Sequence, residues 1–210
     1  MQEKKKEIKM YLLRTDERKN KREEEIDMAE KLKRIKRVLE HKGTILDIYS
    51  DYMELPDGKI EKWDFVSHRK GAAAVVAVRE DGKILMVHQY RNALERMTLE
   101  LPAGARDSVT EDTSVCAARE LEEETGYQCG SLEKLLSLRT TVAFCDEFID
   151  VYLATDLKPG KQHLDEAEDI DVKAYDPEEL CAMIYDGTLQ DAKTVAGILA
   201  YCCKQKHTMG

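Results

Sequence analysis

The apolar positions of the chain change period several times, and each change predicts a different element. Between 28 and 40, Leu32, Ile35, Val38 and Leu39 recur at the spacing of an amphipathic helix. From 44 to 55 apolar and polar residues alternate. Pro56-Asp57-Gly58 then marks a turn, and alternation resumes over 59–66, which predicts a β-hairpin. After Gly71 comes a run of small and β-branched residues, 72–78, apolar on both faces like a strand covered on both sides. Glu80-Asp81-Gly82 turns the chain and 83–90 returns it as a second strand. A helix follows, with Asp112 or Thr113 as its N-cap and Gly126 just past its end. Further strands are expected at 134–141, 147–154 and 170–175, with an acidic loop at 156–169 between the last two. Asp176 and Pro177 open a helix over 178–185, and a final helix runs over about 190–203. This interleaved order predicts an α/β protein with a mixed sheet flanked by helices.

Composition adds bounds. At 210 residues with 42% hydrophobic positions, the chain can build a real core and is not wholly disordered. No apolar run approaches the ~18–20 residues of a membrane span. The first residues alternate Lys, Arg and Glu without the apolar stretch of a secretory signal, so a cytoplasmic location is expected. The net charge of −9 is uneven. Residues 1–42 hold 15 Lys+Arg against 10 Asp+Glu, a net of +5, whereas the rest hold 18 against 32, a net of −14. Positions 1–42 read as a charged helical or disordered leader, solvated or packed, rather than as a nucleic-acid arm. The acidic body argues against nucleic-acid partners. The six cysteines form no C-x-x-C pair and predict reduced thiols. The domain plan is then a leader over 1–42, an N-terminal β region over 43–70, and a main domain over 71–210.

The most informative segment runs from 104 to 127. Glu120, Glu123 and Glu124 stand at i, i+3 and i+4 and share one helical face. Like charges at that spacing destabilise a helix, and a purely solvated helix usually intersperses Lys. Three carboxylates on one face suit a hard cation such as Mg²⁺, which takes oxygen ligands. Glu122 points away and is expected in solvent. Arg119 can reach Glu111, about two turns earlier. Ala117, Ala118 and Leu121 supply the packing stripe. An acidic solvated helix remains the alternative on spacing alone.

The surrounding residues resemble the Nudix hydrolase signature, G-x5-E-x7-R-E-U-x-E-E-x-G-U, where U is bulky and apolar. The chain has Gly104, Glu111, Arg119-Glu120-Leu121, Glu123-Glu124, Gly126 and Tyr127. One departure stands out: six residues, not five, separate Gly104 from Glu111, which predicts a bulge in the loop before the helix. The resemblance implies an α/β/α sandwich around a mixed sheet and Mg²⁺-dependent hydrolysis of a nucleoside diphosphate linked to another moiety, with Mn²⁺ as a possible substitute. It implies that Glu120, Glu123, Glu124 and the backbone carbonyl of Ala103 ligate the cation.

The flanks resemble the ADP-ribose pyrophosphatase branch of that family. Gln89-Tyr90-Arg91 precedes Glu100-Leu101-Pro102-Ala103-Gly104, and the stretch 186–194 (DGTLQDAKT) opens the last helix. The implied reaction gives AMP and ribose 5-phosphate from ADP-ribose, and the implied N-terminal β region helps form a homodimer. By the same resemblance, Arg91 clamps phosphate, Glu100 orients Arg91 or the ribose, and Trp63 stacks on adenine, with a hairpin core position as its alternative. Glu147 contacts substrate or the metal side. The catalytic base comes from the acidic loop, with Glu166 the first choice and Glu168 the second. Two alternatives stay open: a pyrophosphatase for another nucleotide sugar or dinucleotide, and a non-catalytic ligand-binding regulator on the same fold.

Overall fold

The computed structural model describes residues 32–164 and 169–208. The chain divides into two compact units, Met1–Val66 and Ser67–Gly210.

In the first unit, β1 (Lys33–Lys42), β2 (Leu46–Glu54) and β3 (Ile60–His68) form a three-stranded sheet in that order. The expected hairpin is present as β2–β3, closed by Gly58 at φ 80° and by the Leu55 N–H bonded to the Lys59 carbonyl. The helix expected over 28–40 is corrected: its described part is strand β1, and 28–31 lie outside the described residues. β1 is bulged against β2 between Arg34 and Lys36 and between Leu39 and His41. The first bulge falls within the apolar run and sets Leu32 and Ile35 three apart, which helps the pattern mimic a helical period. Pairing settles the element. Arg37 stands opposite Asp51 and donates to both its carboxylate oxygens at 2.6 Å, and its guanidinium lies 3.8 Å from the Phe65 ring centroid. Of the leader expected over 1–42, residues 1–31 lie outside the described residues and 33–42 are strand β1.

The second unit is a seven-stranded mixed sheet. β4 (Ala72–Val78) lies parallel to β9 (Phe148–Pro159) and antiparallel to β5 (Ile84–Arg91) and to the short β7 (Ala103–Ala105). β6 (Arg96–Glu100) and β10 (Asp171–Tyr175) pair antiparallel with β5, and β8 (Tyr127–Arg139) with β9. β6 and β7 are too short to declare themselves by alternation. β8 and β9 extend beyond the expected bounds because they pair along their whole length.

Among the described residues, three helices cover the sheet: α1 (Thr113–Thr125), α2 (Pro177–Tyr185) and α3 (Ala192–Thr208). Ala73 through Ala77 are completely buried, as their apolar run predicts. Odd positions of β4 pack with Cys116, Ala117 and Leu121 of α1, while even positions pack with Leu180 of α2 and Ile198 and Tyr201 of α3. The result is an α/β/α sandwich. The six cysteines are all unbridged. No helix among the described residues is long and apolar enough to cross a membrane.

α3 approaches the sheet so closely that a Cβ at Gly197 would crowd Leu101 and Val151. Three residues earlier, the fully buried Thr194 accepts a hydrogen bond from the Leu101 N–H at 2.9 Å and donates to Asp191 at 2.6 Å. A buried amide without a partner costs about 1–3 kcal/mol. Thr194→Val keeps the shape and removes the acceptor, so unfolding in denaturant is expected to show a stability loss of that size, about 2–12 °C in Tm.

Candidate active site

α1 begins at Asp112, whose side chain accepts from the Ser114 N–H at 2.8 Å, and ends at Gly126, left-handed at φ 73°. These caps fix the helix in the phase that places Glu120, Glu123 and Glu124 on one face. Their environments differ. Glu124 is buried, the Glu120 side chain is 12% exposed, and that of Glu123 is 40% exposed. Glu122 is half-buried rather than solvated, because the Gln128 side-chain amide donates to it at 2.7 Å.

Arg119 organises the cluster. Its Nη1 donates to Glu120 at 2.7 Å and to Glu123 at 2.8 Å, and its Nη2 to the Ala105 carbonyl at 3.0 Å. The expected contact with Glu111 is present at 3.5 Å from Nε. Burial works against the Arg119 charge, but Glu120, Glu111 and Glu123 outweigh it and raise its pKa above the ordinary arginine value.

The helix also touches β7. Glu124 accepts the Ala103 N–H at 2.9 Å. The Glu120 carboxylate packs on Gly104 so tightly that a Cβ there would overlap it. This contact gives the glycine of the signature a steric reason. Carboxylates gathered at a backbone cradle form an all-oxygen donor set, the kind a hard divalent cation takes. Among the described residues, no three acidic, His or Cys side chains form a finished metal cluster. Arg119 draws Glu120 and Glu123 to itself, while Glu124 is turned onto the Ala103 amide.

A cavity of about 900 Å³ borders the same backbone. Its lining includes 103–105 together with His68, Arg91, Arg96, Glu100, Glu147 and Lys193. Glu100 is the buried centre of its charge network. Arg91 donates to both carboxylate oxygens at 2.7 and 2.6 Å, Thr98 donates at 2.6 Å, and Lys193 donates as well. Burial alone would raise the Glu100 pKa, yet hydrogen bonds from Arg91 and the Lys193 charge pull it down to about 2. Glu147 accepts from Thr140 at 2.7 Å and lies 3.6 Å from His68 Nε2. The Nδ1 atoms of His68 and His88 are buried without a hydrogen-bond partner.

Of the expected site residues, the structure brings Arg91, Glu100, Glu147 and the Ala103 backbone to one cavity, with Glu120 and Glu124 packed against the backbone beside it. Trp63 belongs to the first unit, is 41% exposed and donates to Glu61 at 3.2 Å. Glu166 and Glu168 lie outside the described residues. Lys193, Arg96 and His68 are cavity residues that sequence reasoning misses. Lys193 meets Glu100 across 93 positions, and no local period encodes such a meeting.

Comparison with known proteins agrees with this geometry. The family model described as NUDIX domain matches residues 68–197. The chain is 40% identical over 158 residues to an ADP-ribose pyrophosphatase of Bacillus subtilis (strain 168), covering 74% of this chain and 84% of the relative. It is equally similar, over the same shares, to a methanol dehydrogenase activator of Bacillus methanolicus. An ADP-ribose pyrophosphatase of Mycobacterium tuberculosis (strain ATCC 25618 / H37Rv) is 37% identical over 164 residues, or 76% and 78% of the two chains. A crystal structure of an ADP compounds hydrolase shares the fold at TM-score 0.75 and 20% identity, over 85% of this chain and 96% of that one. With the matched domain spanning the α1 carboxylates and the cavity beside them, the chain belongs to the Nudix family and is a pyrophosphohydrolase of that family.

Proposed function

We propose that this enzyme hydrolyses the pyrophosphate bond of ADP-ribose, giving AMP and ribose 5-phosphate, with Mg²⁺ as cofactor and Mn²⁺ as its substitute. The observation that carries the reading is β7: one short strand borders both the α1 carboxylates and a cavity lined by Arg91, Arg96 and Lys193. A nucleoside diphosphate needs both, cations for its own charge and carboxylates for a metal. The relatives named ADP-ribose pyrophosphatase support the choice of substrate.

Glu120, Glu123, Glu124 and the Ala103 carbonyl would hold the cation. When bound, it supplies positive charge against the pyrophosphate oxygens and makes water easier to deprotonate. Arg91, braced on Glu100, offers a planar guanidinium to phosphate with little ordering left to lose. Glu147 contacts the substrate, and Trp63 stacks on adenine. Glu166 accepts the proton of the attacking water, with Glu168 as the second choice. General-base work suits a carboxylate within reach of the attacking water. The first unit serves homodimerisation. Exposed Ile35, Leu39 and Ile48 on its sheet support that role.

A second reading has one observation behind it, the equal similarity to the methanol dehydrogenase activator. It assigns an activating role toward a dehydrogenase.

Three outcomes are expected. Glu124→Gln keeps an acceptor for the Ala103 amide, so the fold should persist while kcat falls at least 100-fold and KM changes little. Wild-type turnover in that variant would remove the metal assignment. Glu166→Gln should lower kcat by orders of magnitude with Mg²⁺ affinity unchanged, measured by calorimetry. An unchanged rate would transfer the role to Glu168 or elsewhere. In a panel of ADP-ribose, nucleotide sugars and nicotinamide or flavin dinucleotides, ADP-ribose should show the highest kcat/KM. A nucleotide sugar or a dinucleotide at the top would overturn ADP-ribose as the substrate.

A further inference from the structure

The loop between β7 and α1 carries the one departure from the signature, and Arg106 ties it to the start of the sheet domain. Arg106 Nε donates to the Lys70 carbonyl, and its Nη1 donates to the carbonyls of Val109 and Glu111 at 2.9 and 3.0 Å. Its backbone N–H bonds the Gly71 carbonyl at 3.2 Å. Its guanidinium lies 5.1 Å from the centroid of the Phe148 ring, which also carries Arg139 at 5.5 Å. Phe148 is seated directly on Gly71, a left-handed glycine where any Cβ would overlap the ring. One planar fork thus ties three backbone carbonyls to a ring packed on the first residues of the sheet domain.

The loop held in this way supports the charged cluster from both ends. Ala105, next to Arg106, gives its carbonyl to Arg119 Nη2. Glu111 gives its backbone carbonyl to Arg106, accepts the Asp107 N–H at 2.7 Å, and meets Arg119 Nε at 3.5 Å. Arg119 in turn sets the positions of Glu120 and Glu123. Residues 107–110 are exposed, and besides this fork they are held by Lys70 Nζ, which donates to the Asp107 carbonyl at 2.7 Å, and by the Ser108 hydroxyl, which accepts the Glu111 N–H at 3.1 Å.

We propose that Arg106 is a positioning residue for the cation site: by clamping the lengthened 105–111 loop, it holds Arg119 and, through it, the Glu120 and Glu123 carboxylates. The inference rests on the reading of Glu120, Glu123 and Glu124 as cation ligands. Residues that orient metal ligands from outside typically govern 10–100-fold in affinity. Lysine keeps the charge and the stem but has a point ammonium, not a fork. A charge effect would therefore be rescued by Lys, and a clamp would not.

The test uses the full chain with Mn²⁺ as probe, its binding followed by electron paramagnetic resonance. Arg106→Ala should weaken Mn²⁺ at least tenfold, with the far-ultraviolet circular dichroism unchanged. Arg106→Lys should recover only a small part of that loss. With ADP-ribose as substrate, kcat should fall in both variants at saturating nucleotide while KM moves little. Amide exchange over 105–112 should accelerate in Arg106→Ala whether or not the cation is present. Wild-type Mn²⁺ affinity in Arg106→Ala, or full rescue by Lys, overturns the proposal, as does unchanged exchange over 105–112. Absence of Mn²⁺ binding in the wild-type protein would instead overturn the ligand reading, while accelerated exchange would still identify the clamp.

Discussion

Several carboxylates must stand on one helix face without driving that face apart, and Arg119 is what makes this possible. In a bare helix Glu120, Glu123 and Glu124 would repel one another. Here a single guanidinium bonds two of them and a β7 carbonyl, and it reaches Glu111 as well. Glu124 is removed from the competition by burial and by the Ala103 amide. The helix, the preceding loop and β7 are consequently one electrostatic unit. Gly104 permits it, because the Glu120 carboxylate occupies the volume where a side chain would begin.

A second buried charge centre stands at Glu100, and it follows different physics. An isolated carboxylate at 3% exposure would protonate rather than stay charged. Arg91, Lys193 and Thr98 surround it with hydrogen bonds, so the ionised form wins despite burial. Lys193 sits at the start of α3, Arg91 at the end of β5 and Glu100 at the end of β6. The centre thus locks three elements around the cavity mouth, and Thr194 continues the lock into the core by satisfying Leu101.

How much of this was legible in the sequence depended on range. The strand at 72–78, the caps Asp112 and Gly126, and the helix phase that aligns three glutamates are written in local spacing, and the structure carries all of them. The bulged strand β1 is illegible for a definite reason: its apolar positions fit a helix as well as a strand, and Asp51 and Phe65, which decide the matter, lie in other strands. Lys193 and Arg106 were invisible as functional candidates for a related reason. One finds its partner across 93 positions, and the other bonds backbone carbonyls, which no residue pattern records. The additional residue before Glu111 was visible as an insertion, but its accommodation by an arginine fork was not.

The charge arrangement of the cavity also bears on how fast a ligand can arrive. Arg91 and Lys193 share Glu100, and Lys193 also meets Asp191, so these two cations sit within a nearly neutral cluster, while Arg96 donates to the uncharged Gln190 side chain, in a body of net −14. Their pull on an anion is short-ranged and fades within the ~8 Å Debye length of physiological salt. Beyond that distance the repulsion from the acidic body is screened as well. A negative net charge lends an anion no long-range attraction, in contrast to electrostatically steered association. Selectivity in such a protein is decided after contact, inside the cavity, and not by capture from a distance.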